Sequence, residues 1–182
     1  SRFGLGKLVG FIDKRRITNL ANAGTLTKVL HYLNVELDSA DYEKIDSLKT
    51  SLIEELNSFY EKGIEIFDKM LYPFAQEIGN SEIKRRIDKD QIKNSSARKD
   101  ITKANTEFKH LYVELAKTIN KFMNIIENHE LEDEDGIIFD FKKYIDRLKE
   151  YYKNFEFIVN NDSEDYVYWF SVTPNKNNIK LF

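Results

Sequence analysis

RKDITKANTEFKHLYVELAKTINKFMNIIENH, residues 98–129, is the stretch that decides the fold. Its apolar residues fall at Ile101, Ala104, Phe108, Leu111, Leu115, Ile119, Phe122 and Ile126. Steps of three and four average close to one helical turn, so a single face carries them all. Neither Pro nor Gly interrupts the run, and Ser95 or Ser96 supplies an N-cap oxygen ahead of it. At about 1.5 Å per residue the helix runs roughly 45 Å. One apolar stripe on so long a helix has to be covered by neighbouring helices.

Those neighbours are legible on both sides. Upstream, Asp38 caps a second long helix with Asp41 as the acid of its first turn. Its stripe is Ile45, Leu48, Leu52, Leu56, Phe59, Ile66 and Met70, and it ends near Tyr72-Pro73 because Pro blocks continuation. Downstream, the acidic turn Glu130 to Gly136 leads into a third long helix with Ile138, Phe141, Ile145, Leu148, Tyr152, Phe155 and Ile158 on one face. Nearer the start, Phe3 to Ile12 reads as a short Gly-spaced helical segment. A loop over Asn19 to Gly24 follows, then a helix capped by Thr25 and carrying Leu26, Val29, Leu30 and Leu33. The fold class expected is mainly α: an antiparallel bundle of three long helices plus shorter N-terminal helices.

Two places break the helical period. Glu82 to Ile87 sets Ile83, Arg85 and Ile87 against Lys84 and Arg86, the alternation of a short strand. The tail Asp165-Tyr166-Val167-Tyr168-Trp169-Phe170-Ser171-Val172 is aromatic and β-branched, hence a strand. Thr173 to Asn178 is turn material, and Ile179 to Phe182 begins a return strand. The expected organisation is a helical bundle over residues 1–164 and a small C-terminal β-hairpin over residues 165–182.

Composition narrows the function classes. The 182 residues are 41% hydrophobic and 32% charged, with two prolines, the profile of a surface-charged helical domain with a proper core. With no Cys, disulfides and thiolate metal sites are excluded, and a reducing, cytoplasmic setting is expected. No apolar run approaches the roughly 20 residues of a membrane span, and no membrane partner is expected. Gly4-Leu5-Gly6-Lys7 lacks the spacing of a phosphate loop, which needs four residues before its Gly-Lys and then Ser or Thr. Glu107 and His110 have the spacing of half a di-iron site, but neither His31 nor His129 completes a second half, so no metal is expected. Nucleophilic and general-base catalysis find almost no residues to work with.

Charge is unevenly spread around a net of −3. Acids dominate from Glu36 to Asp68, whereas from Glu82 to Lys109 nine bases face five acids. Lys84, Arg85, Arg86, Lys89, Lys93, Arg98 and Lys99 are therefore the candidate nucleic-acid-binding residues, by salt-dependent phosphate contact. A second basic knot is Lys14-Arg15-Arg16.

Asp165-Tyr166-Val167-Tyr168-Trp169 with its return strand resembles the point where XPD/DinG-type superfamily 2 DNA helicases re-enter their first motor domain. Ser1-Arg2-Phe3-Gly4-Leu5-Gly6-Lys7-Leu8 is similar to the segment after the DEAH motif in bacterial DinG-like chains. Between those points the family carries a helical insertion, the arch domain. The resemblance thus covers the chain by layout and its two ends by residues. An opening at Ser1-Arg2 and a close at Leu181-Phe182 fit the expectation of a piece excised from a longer chain. The resemblance implies an insertion that guides single-stranded DNA beside the motor, partnered by the remainder of the helicase chain. Catalytic residues, ATP and magnesium would belong to that parent, not to these residues. The alternative function is a helical protein–protein docking module that uses its acidic helix and leaves the basic stretch as a solvated surface.

Overall fold

A computed structural model describes residues 12–21, 24–36, 39–72, 82–86, 97–129, 132–133, 135–160, 168–172 and 179–181. The elements in chain order are β1 (Ile12–Asp13), α1 (Lys14–Ala21), α2 (Gly24–Glu36), α3 (Ser39–Leu71), β2 (Ile83–Arg86), α4 (Ala97–Asn128), α5 (Ile137–Asn160), β3 (Trp169–Val172) and β4 (Ile179–Leu181). The caps expected at Asp38 and at Ser95 or Ser96 lie outside the described residues, as does Gly79-Asn80, which reads as a turn; of the polar stretch Asp88 to Ala97, which reads as a loop, only Ala97 is described, and it is helical.

The three long helices are α3, α4 and α5, and the contacts fix their directions. Along α3 and α4, Asp41 meets His129, Glu55 meets Thr118, Phe59 meets Phe108 and Lys62 meets Glu107. Numbers rise on one helix as they fall on the other, so the pair is antiparallel. Between α4 and α5 the same descent appears: Asn105 with Asn160, Phe108 with Phe155 and Phe122 with Phe141. All the stripe residues named for α4 are buried except Leu111, which is half-buried. The stripe of α5 is buried too, with Tyr144 and Tyr151 added and Tyr152 half-buried.

Rings hold the bundle centre. Phe108 stacks on Phe59 at 4.3 Å and lies 4.3 Å from Phe155, which in turn meets Phe67 edge-on at 5.9 Å. Such offset and edge contacts add to the burial of large apolar area. Helix α1 closes over this centre. A Cβ on Gly63 would sit 2.2 Å from Ile17 Cδ1 and 3.2 Å from Phe108 Cε2, so the missing side chain is what lets α1 lie so near α3. At the other end, Gly136 adopts φ +67° and the Asp133 carboxylate accepts the Ile138 and Phe139 amides, both at 2.9 Å, starting α5.

The N-terminal expectations need correcting. Residues 3–11 of the expected first helical segment lie outside the described residues, and Ile12 is in a strand. The loop expected from Asn19 onward is helical as far as Ala21. Ile17 and Leu20, three apart, are buried in the core, and this tertiary burial outweighs the weak helix propensity of Thr18 and Asn19.

The tail forms the expected antiparallel hairpin, with Phe170 opposite Leu181 and Val172 opposite Ile179. It is also more than that. The sheet has four strands in the order β1-β4-β3-β2, so β1 and β2 from far upstream flank the hairpin. Tyr168, Phe170 and Val172 join the same core cluster as the helices. Bundle and hairpin therefore share one hydrophobic interior.

Candidate nucleic-acid interface

Strand β2 is an edge strand whose only partner among the described residues is β3. The register sets Ile83 opposite Val172, Lys84 opposite Ser171, Arg85 opposite Phe170 and Arg86 opposite Trp169. Directly opposed residues share a face of the sheet, and successive residues alternate faces. Val172 and Phe170 are buried in the core, so Ile83 and Arg85 belong to the inward face and Arg85 emerges at its margin. Lys84, Arg86, Ser171 and Trp169 belong to the outward face. The contiguous triplet Lys84-Arg85-Arg86 is thus divided by the pleat.

The outward face has a definite polar pattern. The Ser171 hydroxyl donates to Glu82 Oε1 at 2.9 Å, and Lys84 Nζ lies 3.6 Å from the same oxygen. Glu82 therefore tempers the charge at the Lys84 end. Lys84 and Arg86 are both exposed. Beside Arg86, Trp169 keeps 45% of its surface open to solvent. On the margin, Arg85 Nη1 donates to the Lys84 carbonyl at 3.2 Å.

Of the other candidate residues, Arg98 and Lys99 are exposed in the first turn of α4, and Lys89 and Lys93 lie outside the described residues. Cations are unfavourable at a helix N-terminus, and Asp100 in the same turn supplies the preferred sign. Because α4 begins where α5 ends, at Asn105 and Asn160, Arg98 and Lys99 stand toward the end of the bundle that carries the sheet. There Phe157 of α5 meets Tyr168, next to β3, at 5.9 Å. Lys14 of the second basic knot pairs with Asp68 at 3.0 Å, while Arg15 and Arg16 are exposed. Bases from three elements converge on one end of the molecule.

Most tyrosines are occupied by packing. Tyr112 and Tyr152 stack at 3.8 Å and 4° between α4 and α5, and burial raises the pKa of both phenols, that of Tyr152 to about 12. Tyr144 donates to the Leu20 carbonyl at 2.8 Å, and burial raises its phenol too. Of the exposed rings, Phe139 lies under the Lys143 ammonium, and Tyr72 shares an open cleft with Glu61, Glu65, Asp68, Lys69 and Asp100. Trp169 stands directly opposite an exposed base. Sequence reading placed it in a strand without placing it on the open face, because that face depends on register.

The Glu107–His110 pair is turned to other uses. Glu107 binds Lys62 at 2.7 Å, and this hydrogen bond holds its carboxyl below the usual range, while His110 Nδ1 lies 3.9 Å from Glu114. Among the described residues no group of three or more His, Asp or Glu side chains is arranged to hold a metal ion. No helix among them is long and apolar enough to cross a membrane. Comparison with protein-family models, with curated proteins and with solved structures finds no match to this chain.

Proposed function

We propose that the chain is a helical insertion module of an XPD/DinG-type ATP-dependent DNA helicase that contacts single-stranded DNA beside the motor in the cytoplasm. The observation that carries the reading is the placement of Lys84 and Arg86 together on the outward face of an edge strand. Two residues apart along a strand is about 6.6 Å, a separation that suits neighbouring phosphates of an extended backbone. Ile12 sits opposite Leu181, so β1 and β4 are neighbours in the sheet, a placement compatible with insertion into a host and equally found in free-standing domains. ATP and magnesium serve the motor of the host, and this module contributes electrostatic and steric guidance.

The test is titration of a labelled single-stranded oligonucleotide at low salt, with Lys84→Glu/Arg86→Glu compared to wild type. Each phosphate contact contributes about 0.7 to the slope of log affinity against log salt. Losing two contacts should flatten the slope by about 1.4 and weaken binding, while Arg85→Glu, on the other face, should weaken it less. Equal binding by the double variant and wild type would remove β2 as the contact.

A second reading rests on the cleft beside Tyr72, which is 74% exposed. Glu61 and Asp100 on its wall suit a basic protein segment, while Glu65 and Asp68 are already paired with lysines of this chain, and this is the docking alternative. No oligonucleotide binding at any salt concentration favours it.

A further inference from the structure

We propose that Trp169 is the base-stacking residue of this surface, so that the module takes single-stranded DNA by its bases as well as its phosphates. The inference rests on the reading above, in which β2 meets the backbone, and adds a ligand class that charge alone does not select. A polyanion of any kind satisfies two cations. An exposed indole directly opposite one of them is satisfied by a flat, unpaired π-system.

The geometry is specific in three respects. Trp169 is directly opposite Arg86 on the sheet, so the indole and the guanidinium rise from the same face with Cβ atoms about 5 Å apart. Lys84 is two residues along the same strand and Ser171 two along the partner, and Ser171 is small, buried and hydrogen-bonded to Glu82. Ser171 is covered while Trp169 keeps 45% of its surface open, so the open part of this face lies at the Arg86 end of the strand pair. Finally, the inward neighbours Phe170 and Val172 are sunk in the core and fix the strand, so the ring is carried on a rigid base. A base laid on the indole directs a flanking phosphate toward β2, where Arg86 stands directly across and Lys84 lies two residues along the same strand. In duplex DNA the bases stack on one another, and their faces are closed to a side chain.

Trp169 is the single tryptophan of the chain, so its intrinsic fluorescence reports on this position alone. The experiment titrates the full chain at low salt with an oligo-dT, with an abasic oligonucleotide of equal phosphate number, and with a blunt duplex. Binding is followed in parallel by anisotropy of a label on the DNA. We expect oligo-dT to quench the indole with the midpoint seen by anisotropy. The abasic strand should bind about 5- to 150-fold more weakly, the range for one base–aromatic stack, and leave the fluorescence unchanged. Trp169→Ala should abolish the difference between the two strands, and Trp169→Phe should restore part of it. Anisotropy-detected binding with an unquenched indole, or equal affinity for abasic and dT strands, overturns the stacking role while leaving the phosphate contact intact. Absence of anisotropy-detected binding by every strand overturns the reading beneath it as well.

Discussion

Phe108 occupies the point where the three long helices meet. Its ring lies 4.3 Å from Phe59 on α3 and 4.3 Å from Phe155 on α5, and it is fully buried. Replacing it by Ala empties a site walled by other large rings that cannot all collapse inward. The expected loss is about 3–5 kcal/mol, read as a lower urea midpoint at unchanged slope. A loss under about 1 kcal/mol would mean that the rings close the gap at little cost. Position and chemistry combine in the same way at Gly63, where the absence of a side chain is the feature that matters. There a helix former with a side chain would be favoured locally, yet the approach of Ile17 leaves it no room.

Among the elements, α3 and α4 are joined by a row of charges as well as by rings. Lys62 binds Glu65 at 2.5 Å within α3 and Glu107 at 2.7 Å across to α4, and Lys69 binds Glu65 at 2.7 Å. Hydrogen bonds from Lys62, then Lys69, lower the pKa of Glu65; Lys62 lowers that of Glu107; and Glu107 with Glu65 raises that of Lys62. The sign follows from linkage. The carboxylates add stability above their ordinary value of 4.5 and lose it as pH falls through their lowered folded values. Lys62 adds stability below 10.5 and loses it as pH rises through its raised value. Between those limits the network is fully formed. Urea midpoints measured from about pH 6 down to pH 3 should therefore fall, and Lys62→Met should fall less steeply because Glu107 has lost its partner and Glu65 keeps only Lys69. An identical acid limb in the variant would show that the network contributes nothing. The carboxylates of this network are each more than a third exposed, so solvent screening keeps the effect modest. On β2 the same kind of charge has another physical consequence, since Lys and Arg on an edge strand also discourage pairing with other chains.

At the scale of the whole molecule, the sheet ties together distant parts of the sequence. Strand β1 depends on β4 and β2 on β3, so the last residues hold segments from near residues 12 and 83. Phe170 and Val172 moreover close one side of the common core. Removing residues 165–182 should cost about 3–6 kcal/mol from these two side chains, at about 1.5–3 kcal/mol each. The helices should melt at lower urea, with β1 and β2 losing amide protection. A truncated chain whose helices melt at the original midpoint would make the tail an independent appendage.

The sequence alone was enough for the long helices, because a stripe repeated every three to four residues over some 30 positions has one way to be buried. It also marked β2 and the tail as strands, through alternation and β-branched or aromatic content. Helix α1 escaped it, since eight residues containing Thr18 and Asn19 become helical only when Ile17 and Leu20 find a core to enter. The candidate surface was legible only in part. Charge counting found Lys84, Arg85 and Arg86, but could not say which two share a face or that Trp169 stands across from Arg86. Strand register decided both, and register is a pairing between residues more than 80 positions apart. Local sequence holds the period of each strand; only the tertiary structure, by burying Phe170 and Val172, chooses which side of that period faces water.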